Sequence, residues 1–224
     1  MSVIGSNALA GASGQGGGGF VIEKSLRFNS GDSANLSRTP SSSSNRNKYT
    51  WSCWVKRCQL GGTTHYLFSA QDGSNVDFLG FEADSIMWYN AYSGGVTSTD
   101  KFRDTSAWYH VVFSVDSTQA TAADRVKIYV NNRQITSFSS SLYPSQNRDF
   151  AINHTVAHSI GHYGGSYSSN FYLAEVHFVD GQVLTPADFA AYDDNNVWQA
   201  KEYTGTYGTN GFYLDFADGS NIGA

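Results

Sequence analysis

Apolar and polar residues alternate with a period of two through most of the chain, between clusters of turn-forming residues. In the run RVKIYVNN, Val126, Ile128 and Val130 share one side while Arg125, Lys127 and Tyr129 share the other. Tyr172, Ala174, Val176 and Phe178 alternate in the same way with Leu173, Glu175 and His177. The pattern predicts strands over 25–29, 50–57, 65–70, 78–82, 86–92, 108–115, 125–131, 155–161 and 171–179. Asp72-Gly73, Asn131-Asn132, Asp180-Gly181 and Asp218-Gly219 tolerate positive φ and supply the tight turns. The polar stretch 39–47, with four consecutive serines, reads as an exposed loop. One helix is predicted, over 184–193, with Thr185 as N-cap, Pro186 in the first helical position and Asp188 closing a capping box. About ten short strands, one brief helix and no βαβ rhythm predict an all-β fold, a two-sheet antiparallel sandwich.

The ends break this pattern. Six of the nine residues from Gly11 to Gly19 are glycine, so 1–19 reads as a flexible or docking arm. The sandwich is expected over 20–193. An aromatic segment, 194–224, is expected to pack on it or on a neighbouring subunit.

Composition narrows the function classes. The 224 residues are 15 % aromatic and 15 % charged, with 23 Gly and 3 Pro. So few charges argue against a coiled coil or a charged disordered chain. A formal net charge of −5 gives no electrostatic reason to bind nucleic acid or an anionic membrane. Lys56, Arg57, Arg46 and Lys48 are the densest basic group and are interrupted by uncharged residues. No apolar window is long enough to insert in a membrane, and the N-terminus lacks the basic and apolar regions of a secretory signal. Cys53 and Cys58 sit roughly 16 Å apart along an extended run, too far for a disulfide. They are expected to be free thiols.

The ordered phrases SLRFNSGDSANLSR, YTWSCWVKR, WYHVVFSVD, VKIYVNN and FYLAEVHFVDGQVLTPADFAAYD resemble the laminin-G/pentraxin-like branch of the concanavalin A-like lectin/glucanase superfamily. The resemblance implies a jelly-roll sandwich. LAGASGQGGG, SLRFN…LSRTP and VWQAKEYTGTYGTNGFYLDF further resemble proteins of tailed bacteriophages. That likeness implies a non-enzymatic structural protein of the virion, a tail fibre or appendage or a capsid decoration. It also implies virion localisation, other capsid or tail proteins as partners of the arm, and a homo-oligomer, most often a trimer. The alternatives are a free carbohydrate-binding module or a glycan-degrading enzyme.

Glycanases of the superfamily carry E-x-D-x-x-E on one strand, its outer carboxylates about 5–5.5 Å apart in retaining enzymes. The nearest string, Glu82-Ala83-Asp84-Ser85-Ile86-Met87, lacks the last carboxylate. His154, His158 and His162 recur every four residues, about 13 Å apart in a strand and too far for one ion. His110, Trp51, Trp54 and Trp108 read as core. Calcium, common among laminin-G and pentraxin relatives, has Asp72, Asp77 and Asp84 as its nearest acidic cluster; no cofactor is otherwise expected. Sugars stack their C–H faces on aromatics beside short polar side chains. The candidate carbohydrate-binding residues are Trp88, Tyr89, Asn90 and Tyr92 beside Gly94-Gly95, and His162, Tyr163 and Tyr167 around Gly164-Gly165. Their ligand would be a host cell-surface glycan.

Overall fold

A computed structural model describes residues 20–164 and 167–217. Its strands, in chain order, begin with β1 (Leu26–Phe28), β2 (Leu36–Arg38), β3 (Lys48–Arg57), β4 (Thr64–Asp72), β5 (Asn75–Glu82) and β6 (Ser85–Asn90). They continue with β7 (Gly94–Ser98), β8 (Tyr109–Asp116), β9 (Val126–Val130), β10 (Arg133–Gln134), β11 (Phe138–Ser141) and β12 (His158–Ile160). The last are β13 (His162–Tyr163), β14 (Tyr167–Ser168), β15 (Phe171–Asp180), β16 (Ala190–Tyr192), β17 (Trp198–Ala200) and β18 (Phe212–Leu214). One short α-helix, α1 (Pro186–Phe189), precedes β16.

Two antiparallel sheets make the sandwich. The first runs β1-β15-β3-β8-β9-β10, with β18 also paired to β15; the second runs β11-β7-β6-β5-β4-β12-β2. Between them Trp51 of β3 stacks on Phe68 of β4 at 4.6 Å, and Phe68 meets Phe178 of β15 at 5.0 Å. The Trp88 indole of β6 donates to the Tyr49 hydroxyl of β3 at 2.9 Å, joining the sheets through a satisfied polar contact. Trp51, Cys53, Val55, Phe113 and Ile128 fill the same layer. Both cysteines are free, as their spacing requires.

Strand β9 keeps the predicted inward alternation, and the Asn131-Asn132 turn takes φ of 48° and 65°. By contrast β3 and β15 are buried on both sides, because the chain after Leu184 returns over the first sheet. There Phe189, Leu184, Tyr203 and Tyr207 cover Val112 and Val179, while Trp198 and Phe20 cover Trp54 and Ala174. The predicted helix 184–193 is helical for four residues only. Asp188 accepts the Thr185 amide at 2.7 Å, but Ala190 turns extended (φ −152°) and starts a strand that pairs with β17. The predicted strand 155–161 shortens to His158–Ile160. Residues 1–19 and Asp218-Gly219 lie outside the described residues.

Strands β1 and β18 lie end to end along one edge of β15. Leu26 pairs with Leu173 and Leu214 with Val176, and at the break Glu175 adopts φ 49° in a register shift. Lys24 Nζ donates to the Ala217 carbonyl at 2.8 Å across this seam.

Candidate functional site

The outer face of the second sheet carries an aromatic cluster. Tyr66 of β4, Phe78 of β5 and Tyr89 of β6 point outward, with Val76 and Met87 beside them. Phe78 stacks on Tyr89 at 4.7 Å and meets Tyr66 edge-on at 5.0 Å. The β13–β14 hairpin folds back over this face. Tyr163 lies 5.2 Å from Tyr66 and 5.8 Å from Phe78, and Tyr167 stacks on Tyr163 at 6.0 Å. Sequence-distant candidates Tyr89, Tyr163 and Tyr167 therefore belong to one cluster.

The hairpin is held at its root. Gly161 has φ 79°, and a Cβ there would sit 2.3 Å from the Phe28 ring. The Ser69 hydroxyl donates to the His162 carbonyl at 2.7 Å, and the Ser169 amide to the Gly161 carbonyl at 2.9 Å. Beside the hairpin runs a groove of about 550 Å³, whose lining includes Asn35, Ser37, Ser69, Gln71, Ser159, His162 and Tyr163. Burial pushes the Tyr66 and Tyr163 phenols above their ordinary pKa, so both stay protonated at neutral pH. Tyr167 is 58 % exposed and offers an accessible ring.

Two of the sequence candidates face the other way. Trp88 is 0 % exposed and sits edge-on to Phe150 in the core, so it presents no ring to a sugar. Asn90 is equally buried, and its amide donates to Asp77 Oδ1 at 2.6 Å and to Asn75 Oδ1 at 3.2 Å. Strand alternation sends Met87 and Tyr89 outward and Trp88 and Asn90 inward. Tyr92, 60 % exposed, carries the Arg148 guanidinium over its ring at 4.2 Å rather than joining the cluster. Gly94 and Gly95 are not a loop; they open β7. Sequence reasoning missed Ser37, Ser69 and Ser159. Each serine is unremarkable in its own segment, and only cross-strand register aligns them.

The family model of the concanavalin A-like lectin/glucanases superfamily matches residues 28–190. The chain belongs to that superfamily. A comparison with curated proteins gave no match. Among solved structures, the concanavalin A-like domain is similar to a native heptameric SAP-like pentraxin from Limulus polyphemus (15 % identity, 81 % of this chain and 85 % of that one, TM-score 0.48). It is also similar to mouse laminin alpha1 domains LG4-5 (11 % identity, 71 % of this chain and 43 % of that one, TM-score 0.50). A third likeness is to tailspike protein 2 of an Escherichia coli bacteriophage, at 11 % identity and TM-score 0.50. It covers 73 % of this chain and 23 % of the tailspike. At such identities these likenesses show the fold alone.

The glycanase-like string does not lie along one strand of this concanavalin A-like domain. Glu82 ends β5, Ala83 turns with φ 51°, and Asp84 precedes β6. Asp84 accepts from Arg103 at 2.7 Å and from the Gly61 amide at 3.0 Å, contacts that hold its carboxyl down to about 2. Arg57 adds a third contact at 3.3 Å. Asp72 pairs with His154 at 2.9 Å, and the buried Asp77 accepts from Asn90 and the Ala151 and Ile152 amides. The three aspartates considered for calcium thus have separate partners. Among the described residues, no group of three or more His, Cys, Asp or Glu side chains is placed to hold a metal ion.

His110 is buried on the covered face of the first sheet. Its Nδ1 accepts from the Trp198 indole at 3.1 Å, so Nε2 carries the proton and donates to Ser52 Oγ at 2.9 Å. Burial lowers its pKa to about 3, and the imidazole stays neutral. A histidine donating to the serine, under a covering layer, cannot act as that serine's base. His158 is likewise buried and accepts the Asn153 amide at 2.9 Å, so the four-residue histidine spacing forms no shared site. Glu175 and His177 share the covered face. Tyr213 donates to Glu175 Oε2 at 2.6 Å and stacks on His177 at 4.6 Å. Desolvation lifts the Glu175 carboxyl to about 7 and drops His177 to about 3.

Proposed function

We propose that this domain is a non-enzymatic glycan-binding module of a tailed-phage virion, mounted on the particle as a tail fibre, appendage or capsid decoration. The observation that carries the glycan reading is the open groove beside the aromatic cluster of the second sheet. Tyr163 lines the groove next to short hydroxyl and amide side chains, with Tyr167 stacked on that ring and Tyr89 in the cluster behind, the combination that carbohydrates select. The phage assignment rests on the resemblance of the sequence phrases. The Gly-rich arm, 1–19, docks on capsid or tail proteins, and the domain assembles as a homotrimer that presents the groove to host surface glycans.

The test is binding of the whole chain to a glycan array and to host cells. Tyr163→Ala with Tyr167→Ala abolishes binding while leaving the melting temperature within a few degrees of the parent. Undiminished binding by that double variant, or no binding by the parent, overturns the reading.

A further inference from the structure

The groove has a polarity that the aromatic cluster alone does not specify. Ser159 of β12 pairs with Ser37 of β2 on one side and with Ser69 of β4 on the other. Three hydroxymethyl groups therefore stand in one line across three adjacent strands, each about 4.8 Å from the next. Their neighbours His158, Ile160 and Phe68 are buried toward the core, which fixes the serines on the outer face. Ser69 already donates to the His162 carbonyl. Among the described residues, the hydroxyls of Ser37 and Ser159 have no protein hydrogen-bond partner.

The second property is charge. Among the described residues, no Lys, Arg, Asp or Glu lines the groove. The arginines of the neighbouring segments are directed elsewhere: Arg38 lies over the Phe212 ring and donates to the Asn210 carbonyl at 3.1 Å, and Arg46 donates to the Phe150 carbonyl at 2.7 Å and pairs with Asp72. A carboxylate or sulfate entering the groove would lose water with no Lys or Arg side chain lining it to pair with, against a chain of net charge −5. An apolar ligand would strand the serine hydroxyls and the Asn35 and Gln71 amides.

We infer that the groove takes a neutral, hydroxyl-rich glycan, laid across β2 and β12 on the free hydroxyls of Ser37 and Ser159, with Ser69 at the buried end of the row and Tyr163 at its edge. This deepens the glycan-binding reading and rests on it. Two strand spacings, about 10 Å, set the length of the serine row and call for a short oligosaccharide segment. The ligand's hydroxyls exchange donors and acceptors with the serines, and the raised β13–β14 hairpin limits it on one side.

Titration calorimetry separates the possibilities. The probes are linear glucose, mannose and galactose tetrasaccharides on one side, and sialyllactose and a heparin tetrasaccharide on the other. At least one neutral probe binds, with an affinity that does not change between low and high salt, and the acidic probes bind at least tenfold more weakly. Ser37→Ala with Ser159→Ala weakens the neutral probe about tenfold, the effect of one to two lost hydrogen bonds, while circular dichroism and the melting temperature stay those of the parent. Preference for an acidic probe, with affinity falling as salt rises, overturns the neutral assignment and leaves the glycan reading standing. Binding that Tyr163→Ala removes but the serine pair leaves unchanged overturns the serine row. If no probe of either class binds and the array is also blank, the glycan reading itself falls, and this inference with it.

Discussion

The outer faces of the two sheets begin from similar material and end in opposite states. Both are antiparallel and mix aromatic with small polar side chains. On the first sheet the chain after Leu184 returns as a lid, so that His110, His177 and Glu175 are buried with partners already assigned. On the second sheet the aromatic cluster is covered by little more than one two-stranded hairpin, and a row of hydroxyls is left beside it. Chemically suggestive residues are thus concentrated under the lid, and the plain ones line the open groove. Reactive residue types alone point to the covered face.

The largest expected effect bears on the lid. Phe189 is buried against Val112, Val179 and His177, so Phe189→Ala costs about 3–5 kcal/mol in guanidinium denaturation. Tyr89→Ala on the open face bears on the same comparison at its other end and is the smallest effect, under about 1 kcal/mol, because its ring is only half-buried. Equal costs at the two positions would break the contrast between a closed and an open face.

Between these lies the Glu175 carboxyl, 4 % exposed. Its pKa is about 7 in the folded chain against an ordinary 4.5, so the native state keeps a proton that the unfolded state releases. Its contribution is fully present below about 4.5 and is lost as pH rises to about 7. Glu175→Gln keeps an acceptor for Tyr213 without the charge. It raises stability by about 2 kcal/mol at pH 8 and changes it little at pH 4, read from denaturation midpoints at the two pH values. An equal gain at both would show that the carboxyl is hydrated and that the lid is open.

The sandwich was legible because β9 buries one side only and states the period plainly. Other elements were hidden for physical reasons. Strands β2 and β11 are short, β11 is mostly serine, and their edge positions need no apolar alternation. In Ser85–Asn90 both sides of the strand carry apolar or aromatic groups, so the period gave no contrast and Trp88 could not be placed inward. The helix at Pro186 was legible from its cap, whereas its early end is set by β17, eight residues beyond Ala190. Tyr89, Tyr163 and Tyr167 were singled out from local composition. The serine row that completes the groove depends on pairing between segments more than 120 positions apart in the chain, from Ser37 to Ser159, and no local pattern encodes it.

The seam on β15 has a mechanical consequence. Lys24 leads into β1 and Ala217 follows β18, and the two meet where β1 and β18 face each other end to end. A load drawn outward from that seam strains each three-residue strand from its inner end, so hydrogen bonds part in succession instead of sharing the force. Tension applied at Lys24 and Ala217 would therefore peel this edge from β15 before it reached the longer pairings of β3 with β8 and β15.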